Sequence, residues 1–247
     1  MNFDYNAFTN AVIKANKELY GYINTHMTPL DLEPSNTIGF GGDNSLNIDL
    51  KAEKIFIKHL QKFGDIYSEE IGHISSNSNV KIVIDPIDGS HNFQSSLPYY
   101  GSSIALFIDD ESKAGYVTNL VNASMIYRVD KGIKEISLIN EDEITFQKIS
   151  NPSIGIFERA YAYPNICKNL YENRLKFRSP GAAALSLANA RNFNFVIFAG
   201  KLREFDIAAA NHINCDLFTY QDSDFLIVSK NEQNLLQIKG IIKNNRL

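Results

Sequence analysis

A chain of 247 residues, 44% of them hydrophobic, has enough apolar side chain to bury a full core, either as one large domain or as two closely packed halves. Its formal net charge of −4 provides no broad basic surface, which argues against nucleic acid as a partner and for small ligands. Cys167 and Cys215 are too few for a disulfide framework or a zinc site. No leader-like segment opens the chain and no apolar run reaches the ~20 residues of a membrane span, so a cytoplasmic protein with reduced thiols and no membrane contact is expected.

In chain order, Phe8, Val12, Ala15, Leu19 and Ile23 recur at spacings of three and four and predict an opening helix to about Met27. Pro29 and Pro34 bracket a loop. Gly39-Phe40-Gly41-Gly42-Asp43-Asn44-Ser45 then has no predicted strand before it and no dinucleotide-binding spacing, so it reads as a flexible loop, with an active-site flap as the sharper alternative. Ile48, Ala52, Ile55, Leu60 and Phe63 predict a second helix, on which Asp49 and Glu53, taken alone, read as a solvated face. Gly64 ends it, and Asp65 to Gly72 reads as a short strand delivering Glu69 and Glu70 into a loop.

The next stretch, Val80 to Phe93, is the one around which the chain is organised. Val80, Ile82, Val83 and Ile84 suit a strand covered on both faces, and Pro86, with no N–H for a ladder, is expected to stop it. Asp85 and Asp88 then emerge at a strand end with the Ile87 carbonyl between them, and Gly89 permits a tight turn. Two readings stand side by side: an ordinary Asp/Pro/Gly turn, or a site for a hard cation with the Gly89 and Ser90 amides beside it for an anion.

Downstream, segments 102–108, 114–120 and 124–129 predict an antiparallel meander closed by Asp130-Lys131-Gly132. The second half mixes strand-like segments at 154–157 and 160–163, a small-residue helix from Gly181 to about Ala190, a strand at 193–198, an aspartate at a helix start (Asp206, with N-capping as its plain role), a strand at 225–228 and a helix from about Glu232.

Five segments in this order resemble the magnesium-dependent, lithium-sensitive inositol monophosphatase family, most closely its archaeal-type branch with inositol monophosphatase and fructose-1,6-bisphosphatase activity. They are Asp49-Leu50-Lys51-Ala52-Glu53, Ser68-Glu69-Glu70, Asp85-Pro86-Ile87-Asp88-Gly89-Ser90-His91-Asn92-Phe93, Gly181-Ala182-Ala183-Ala184-Leu185 and Phe205-Asp206-Ile207-Ala208-Ala209. The resemblance implies an α/β (α+β) fold, a layered αβαβα sandwich of the sugar phosphatase type. It would form a single domain over 1–247 with halves at about 1–145 and 146–247, and assemble as a homodimer. It implies metal ligands at Glu69, Asp85, the Ile87 carbonyl, Asp88 and Asp206 for two or three Mg²⁺ per site. It implies Asp49 and Ser90 as the pair that activates the attacking water, and Gly89 and Ser90 as phosphate binders. The Gly39–Ser45 loop is similar to the family's flap, with Asp43 as a further ion ligand. The expected activity is hydrolysis of a small sugar or polyol phosphate, fructose-1,6-bisphosphate or inositol-1-phosphate, by metal-activated water.

Departures bear on the substrate. The acid that many members use for substrate hydroxyls has no counterpart between Val196 and Ala199, while Lys201 and Arg203 lie nearby and are expected either to contact a second phosphate or to be plain solvated cations. His91 reads as a wall residue, and His26, His59, His73 and His212 offer no zinc site. The spacing of Asp85 and Asp88 excludes the Asp-x-Asp of covalent aspartyl-phosphate phosphatases. Two other functions stay open: a 3′-phosphoadenosine 5′-phosphate phosphatase, and a non-catalytic interaction protein that keeps the fold.

Overall fold

Along the central strands of both sheets, successive apolar residues belong alternately to different cores. The computed structural model describes residues 3–42, 44–130, 132–145 and 152–245. Helix α1 (Tyr5–Thr25) starts where the Asp4 side chain accepts from the Ala7 amide at 2.9 Å. A hairpin, β1 (Pro34–Ile38) and β2 (Asn44–Leu46), leads into α2 (Asn47–Leu60). Next come β3 (Asp65–Ser68), β4 (Gly72–Ile74), β5 (Val80–Asp88) and the short helix α3 (Ser90–Gln94). The meander follows as β6 (Gly101–Ile108), β7 (Glu111–Asn119), β8 (Ser124–Val129) and β9 (Gly132–Ser137).

The later part holds β10 (Gly155–Glu158), α4 (Pro164–Glu172), β11 (Phe177–Arg178), α5 (Ala183–Ala188) and β12 (Val196–Ala199). It closes with α6 (Glu204–Ile213), β13 (Phe218–Gln221), β14 (Phe225–Ser229) and α7 (Glu232–Asn244). The first sheet runs β4-β3-β5-β6-β7-β8-β9, with only β3 and β5 parallel; the second runs β11-β10-β12-β14-β13, with β11, β10 and β12 parallel.

These elements form the layered αβαβα sandwich. Ile82, Ile84, Ile104, Leu106, Tyr116 and Met125 face α1 and α2, whose Phe8, Val12, Leu19, Ile48 and Phe56 complete the first core. Their immediate neighbours Val83, Ala105, Val117 and Ile126 face the other way, onto α5 and α6 and through them onto Ile156, Val196, Phe198, Leu226 and Val228 of the second sheet. Phe157, Ile197, Ala199 and Ile227 turn outward again to Ile166, Leu170, Leu235 and Ile238 of α4 and α7. The middle layer is alanine-rich because it is squeezed between two sheets. A Cβ at Gly115 of β7 would lie 2.2 Å from the Ala209 carbonyl oxygen of α6, so only glycine allows this approach.

Several expectations change. A strand, β1, does precede the Gly39–Ser45 segment, although Pro34 and two asparagine or threonine residues hid it. β5 runs through Pro86 rather than stopping at it, and the meander gains a fourth strand, β9, beyond the turn. Segment 160–163 is a single 3-10 turn followed by α4, with Pro164 at the helix start; the Tyr161 and Tyr163 pattern imitates a strand, yet Tyr161 is exposed. Asp49 and Glu53 are buried, not solvated. No helix among the described residues is long and apolar enough to cross a membrane.

Gly115→Ala tests the tight middle layer. Overpacking of this kind typically costs about 1–3 kcal/mol, so thermal unfolding should move down by several degrees, and a variant as stable as wild type would show that α6 can shift freely.

Candidate active site

Residues three apart in a regular strand point to opposite faces, so Asp85 and Asp88 need an irregularity to meet. β5 supplies one: its pairing with β6 passes from Asp85 opposite Ser103 to Asp88 opposite Gly101 with a register shift between, and Pro86 falls inside that bulge. Gly89 follows at φ 90°, where a Cβ would lie 3.0 Å from that of Ala182 and 3.1 Å from the Tyr99 carbonyl. Across this contact the Leu185 amide of α5 donates to Asp88 Oδ2 at 2.8 Å.

Asp49 enters from the first turn of α2. Its Oδ2 accepts from the Leu46 amide at 2.8 Å, which fixes the carboxylate, while Oδ1 faces Ser90 Oγ at 3.4 Å. Ser90 Oγ also donates to the Ile87 carbonyl at 2.9 Å. Burial, helped by the charges of Glu69 and Glu53, pushes the Asp49 carboxyl up to about 6 against the hydrogen bonds from Leu46 and Ser90. Asp49 and Ser90, singled out as a pair, are therefore brought together.

The parallel strand beside β5 delivers Glu69 just past β3, and α6 brings Asp206 in its first turn. Asp206 does not cap that helix, since the N-cap residue is Arg203 and the Asp206 amide donates to its carbonyl. Instead the Arg203 side chain folds back: Nε and Nη2 donate to the two oxygens of Asp206 at 3.0 and 3.1 Å, and Nη1 lies 2.7 Å from Glu69 Oε1. The expectation that Arg203 is a solvated cation or faces a substrate anion is corrected here, because its guanidinium is committed to two acids. Lys201 is exposed on the loop before α6.

Burial first, then the charges of Glu69, Asp88 and Asp206, hold the Asp85 carboxyl well above the usual carboxylate range. Asp88 is raised likewise by burial and by Asp206 and Glu158, in spite of the Leu185 amide. Asp85 Oδ1 is buried and accepts no hydrogen bond. A buried carboxylate oxygen left without a hydrogen bond among other acids offers oxygen donors only, which fits a hard cation such as Mg²⁺. Among the described residues no three acidic, histidine or cysteine side chains form a ready metal cage. The guanidinium of Arg203 contacts both Glu69 and Asp206.

The tip of the β1–β2 hairpin lies over this cluster. The Phe40 amide donates to the Glu70 carbonyl at 3.0 Å, the Gly41 amide donates to the Glu69 carbonyl at 2.7 Å, and Ser45 Oγ donates to the Glu70 carboxylate. The Phe40 ring packs edge-on against Tyr67 and Phe205. Behind the hairpin, buried Asp31 is held at about 2: burial would raise it, but hydrogen bonds from Lys51, Thr28 and Tyr22 win. Asp43 lies outside the described residues.

Sequence reasoning missed Glu158, Ser186 and Tyr99. Glu158 ends β10 directly opposite Phe198 of β12, and it accepts from the Gly181 amide at 2.9 Å and from Ser186 Oγ at 2.5 Å. Tyr99 Oη and Ser186 Oγ are 3.0 Å apart. The signal was available: an acid closing a four-residue apolar strand in a parallel sheet sits at a carboxyl end, where open α/β sheets place their ligands.

A sequence profile described as the inositol monophosphatase family matches residues 7–214. A fructose-1,6-bisphosphatase from Pyrococcus furiosus is 28% identical over 151 residues, which cover 60% of this chain and 56% of that protein; the match thus spans little more than half of that relative. The Nus factor SuhB of Haemophilus influenzae is 28% identical over 84% of this chain and 82% of its own length. Among solved structures, an inositol monophosphatase from Thermotoga maritima superposes with a TM-score of 0.76 at 21% identity, covering 96% of this chain and 98% of that one. Fructose-1,6-bisphosphatase from Leishmania major gives 0.78 at 14% identity, covering 97% and 94%, so both show the fold alone.

The raised carboxyl of Asp49 has a consequence for stability. Its folded value near 6 exceeds an unfolded value of about 3.9, so the folded state holds the proton more tightly and stability falls as pH rises through that window. In chelator-treated protein, Asp49→Asn, which can still accept the Leu46 amide, should therefore melt a few degrees above wild type at pH 7.5 and match it near pH 4. A variant that melts lower at pH 7.5 would show that the carboxylate stabilises the fold.

Proposed function

The chain belongs to the inositol monophosphatase family, and we propose that it is a Mg²⁺-dependent phosphomonoesterase acting on a small sugar or polyol phosphate, fructose-1,6-bisphosphate or inositol-1-phosphate, through attack by water. The observation that carries this reading is the orphaned Asp85 oxygen in a nest of acids beside the Asp49–Ser90 pair. Glu69, Asp85, the Ile87 carbonyl, Asp88 and Asp206 would hold two or three ions. Bound Mg²⁺ supplies charge stabilisation for the phosphoryl oxygens and makes water a stronger acid.

The chain's own residues do the rest. Asp49, anchored by the Leu46 amide and with a carboxyl poised near 6, accepts a proton at neutral pH, and Ser90 Oγ orients the water between it and the phosphorus. The Gly89 and Ser90 amides receive the phosphate at a turn that a side chain at position 89 would block. The Leu185 amide holds Asp88 in place, so α5 takes part in positioning the acids. With Arg203 turned onto Asp206 and Glu69, Lys201 is the cation left on that loop for a second anionic group of the substrate. A second reading, a protein-binding role beside or instead of catalysis, is favoured by the Haemophilus influenzae relative named a Nus factor, which matches most of the chain.

Phosphate release from fructose-1,6-bisphosphate, inositol-1-phosphate and 3′-phosphoadenosine 5′-phosphate separates these readings. The first or second should be hydrolysed with Mg²⁺, inhibited by Li⁺, and slowed at least ~100-fold by Asp88→Asn with the circular dichroism spectrum unchanged. Hydrolysis undiminished by exhaustive chelation would refute the metal-dependent reading, and no hydrolysis of any of the three would favour the binding role.

A further inference from the structure

The Arg203 guanidinium is placed where its loss and its presence have opposite consequences for a bound cation. It stems from the extended N-cap position of α6 (φ −85°, ψ 144°), three residues ahead of Asp206, which lets the side chain fold back over the first turn. There it makes a paired contact to both oxygens of Asp206 and a third contact to Glu69 Oε1. Its side chain is largely enclosed, so solvent screens these contacts little. The hairpin tip closes over it: a Cβ at Gly41 would lie 3.1 Å from Arg203 Nη1 and 2.7 Å from Glu69 Cγ, so glycine at 41 leaves room for the contact.

Arg203 is thus the positive charge in contact with two of the acids gathered at this edge, Glu69 and Asp206. Arginine stays charged at every working pH, so at neutral pH the guanidinium cannot leave these carboxylates by losing its proton. A metal cation taking the same oxygens must displace it.

We propose that Arg203 is an internal counter-ion that competes with Mg²⁺ for Glu69 and Asp206 and thereby sets the metal affinity of the site. This rests on the metal-dependent reading above and adds a direction to it. A guanidinium that merely oriented Asp206 for the ion would make the site tighter, as outer supports of metal ligands do; a competitor makes it looser. By linkage, whatever Arg203 contributes to the fold without metal is subtracted from metal binding.

Isothermal titration of Mg²⁺ into chelator-stripped full-length protein distinguishes the two. Arg203→Ala should bind Mg²⁺ about tenfold more tightly than wild type, within the usual range of such couplings. Arg203→Gln, which is uncharged but keeps a polar side chain with two N–H donors, should shift in the same direction and serves if the alanine variant folds poorly. Stripped of metal, both variants should melt below wild type, and saturating Mg²⁺ should close the gap. Affinity that is unchanged or weaker in the variants overturns the proposal while leaving the metal-dependent reading intact. Absence of Mg²⁺ binding by wild type and variants alike overturns both.

Discussion

Repulsion among buried carboxylates is the constraint on which the arrangement depends. Asp85 and Asp88 cannot both be charged and buried without compensation: burial first, then neighbouring carboxylates, raises both carboxyls. The fold answers with donors both local and distant: the Leu185 amide crosses from α5 to Asp88, the Leu46 amide at the N-cap of α2 holds Asp49, and the Arg203 guanidinium holds Asp206 of its own helix and Glu69 from the first sheet. Asp85 Oδ1 is left without a hydrogen bond.

The layered build explains how they converge. β3 and β5 run parallel and end together, so Glu69 and the Asp85–Asp88 bulge leave the same edge of the first sheet. α6 crosses the middle layer against β7, close enough that Gly115 meets the Ala209 carbonyl, and this packing brings Asp206 to that edge. β10 and β12 end on the same side and contribute Glu158 and the loop into α6. Alanines of α5 and α6 are thus as much part of the site as the acids, because bulkier side chains would hold the two sheets apart.

Legibility in the sequence followed how local each cause was. Helical stripes, the apolar runs of β5 to β8 and the Asp85–Phe93 signature depend on neighbours in the chain, and the elements appear where they were expected. Pro86 misled because proline ends a strand unless a bulge receives it, and a bulge depends on Ser103 and Gly101 of the partner strand. Asp49 and Glu53 looked solvated because four-residue spacing describes a helix face without saying what covers it. Arg203 was read as a solvated cation or a ligand for substrate anions because nothing in Lys201-Leu202-Arg203 says that Glu69, more than a hundred positions away, waits beside it. Glu158 was overlooked for the same reason, since its partners Gly181 and Ser186 lie on another element.

Glu158 also bears on substrate choice. The strand end that lacks an acid between Val196 and Ala199 has one directly opposite it, on β10, in register with Phe198. Each oxygen of Glu158 already accepts a hydrogen bond, one from the backbone of the turn before α5 and one from Ser186, itself tied to Tyr99. An acceptor so occupied holds a protein loop in place and is poorly placed to read polyol hydroxyls, because a sugar would have to displace buried bonds to reach it. With Arg203 drawn inward onto Asp206 and Glu69, Lys201 stays exposed on the same loop, so two cations two positions apart end in opposite surroundings because of what packs beside each.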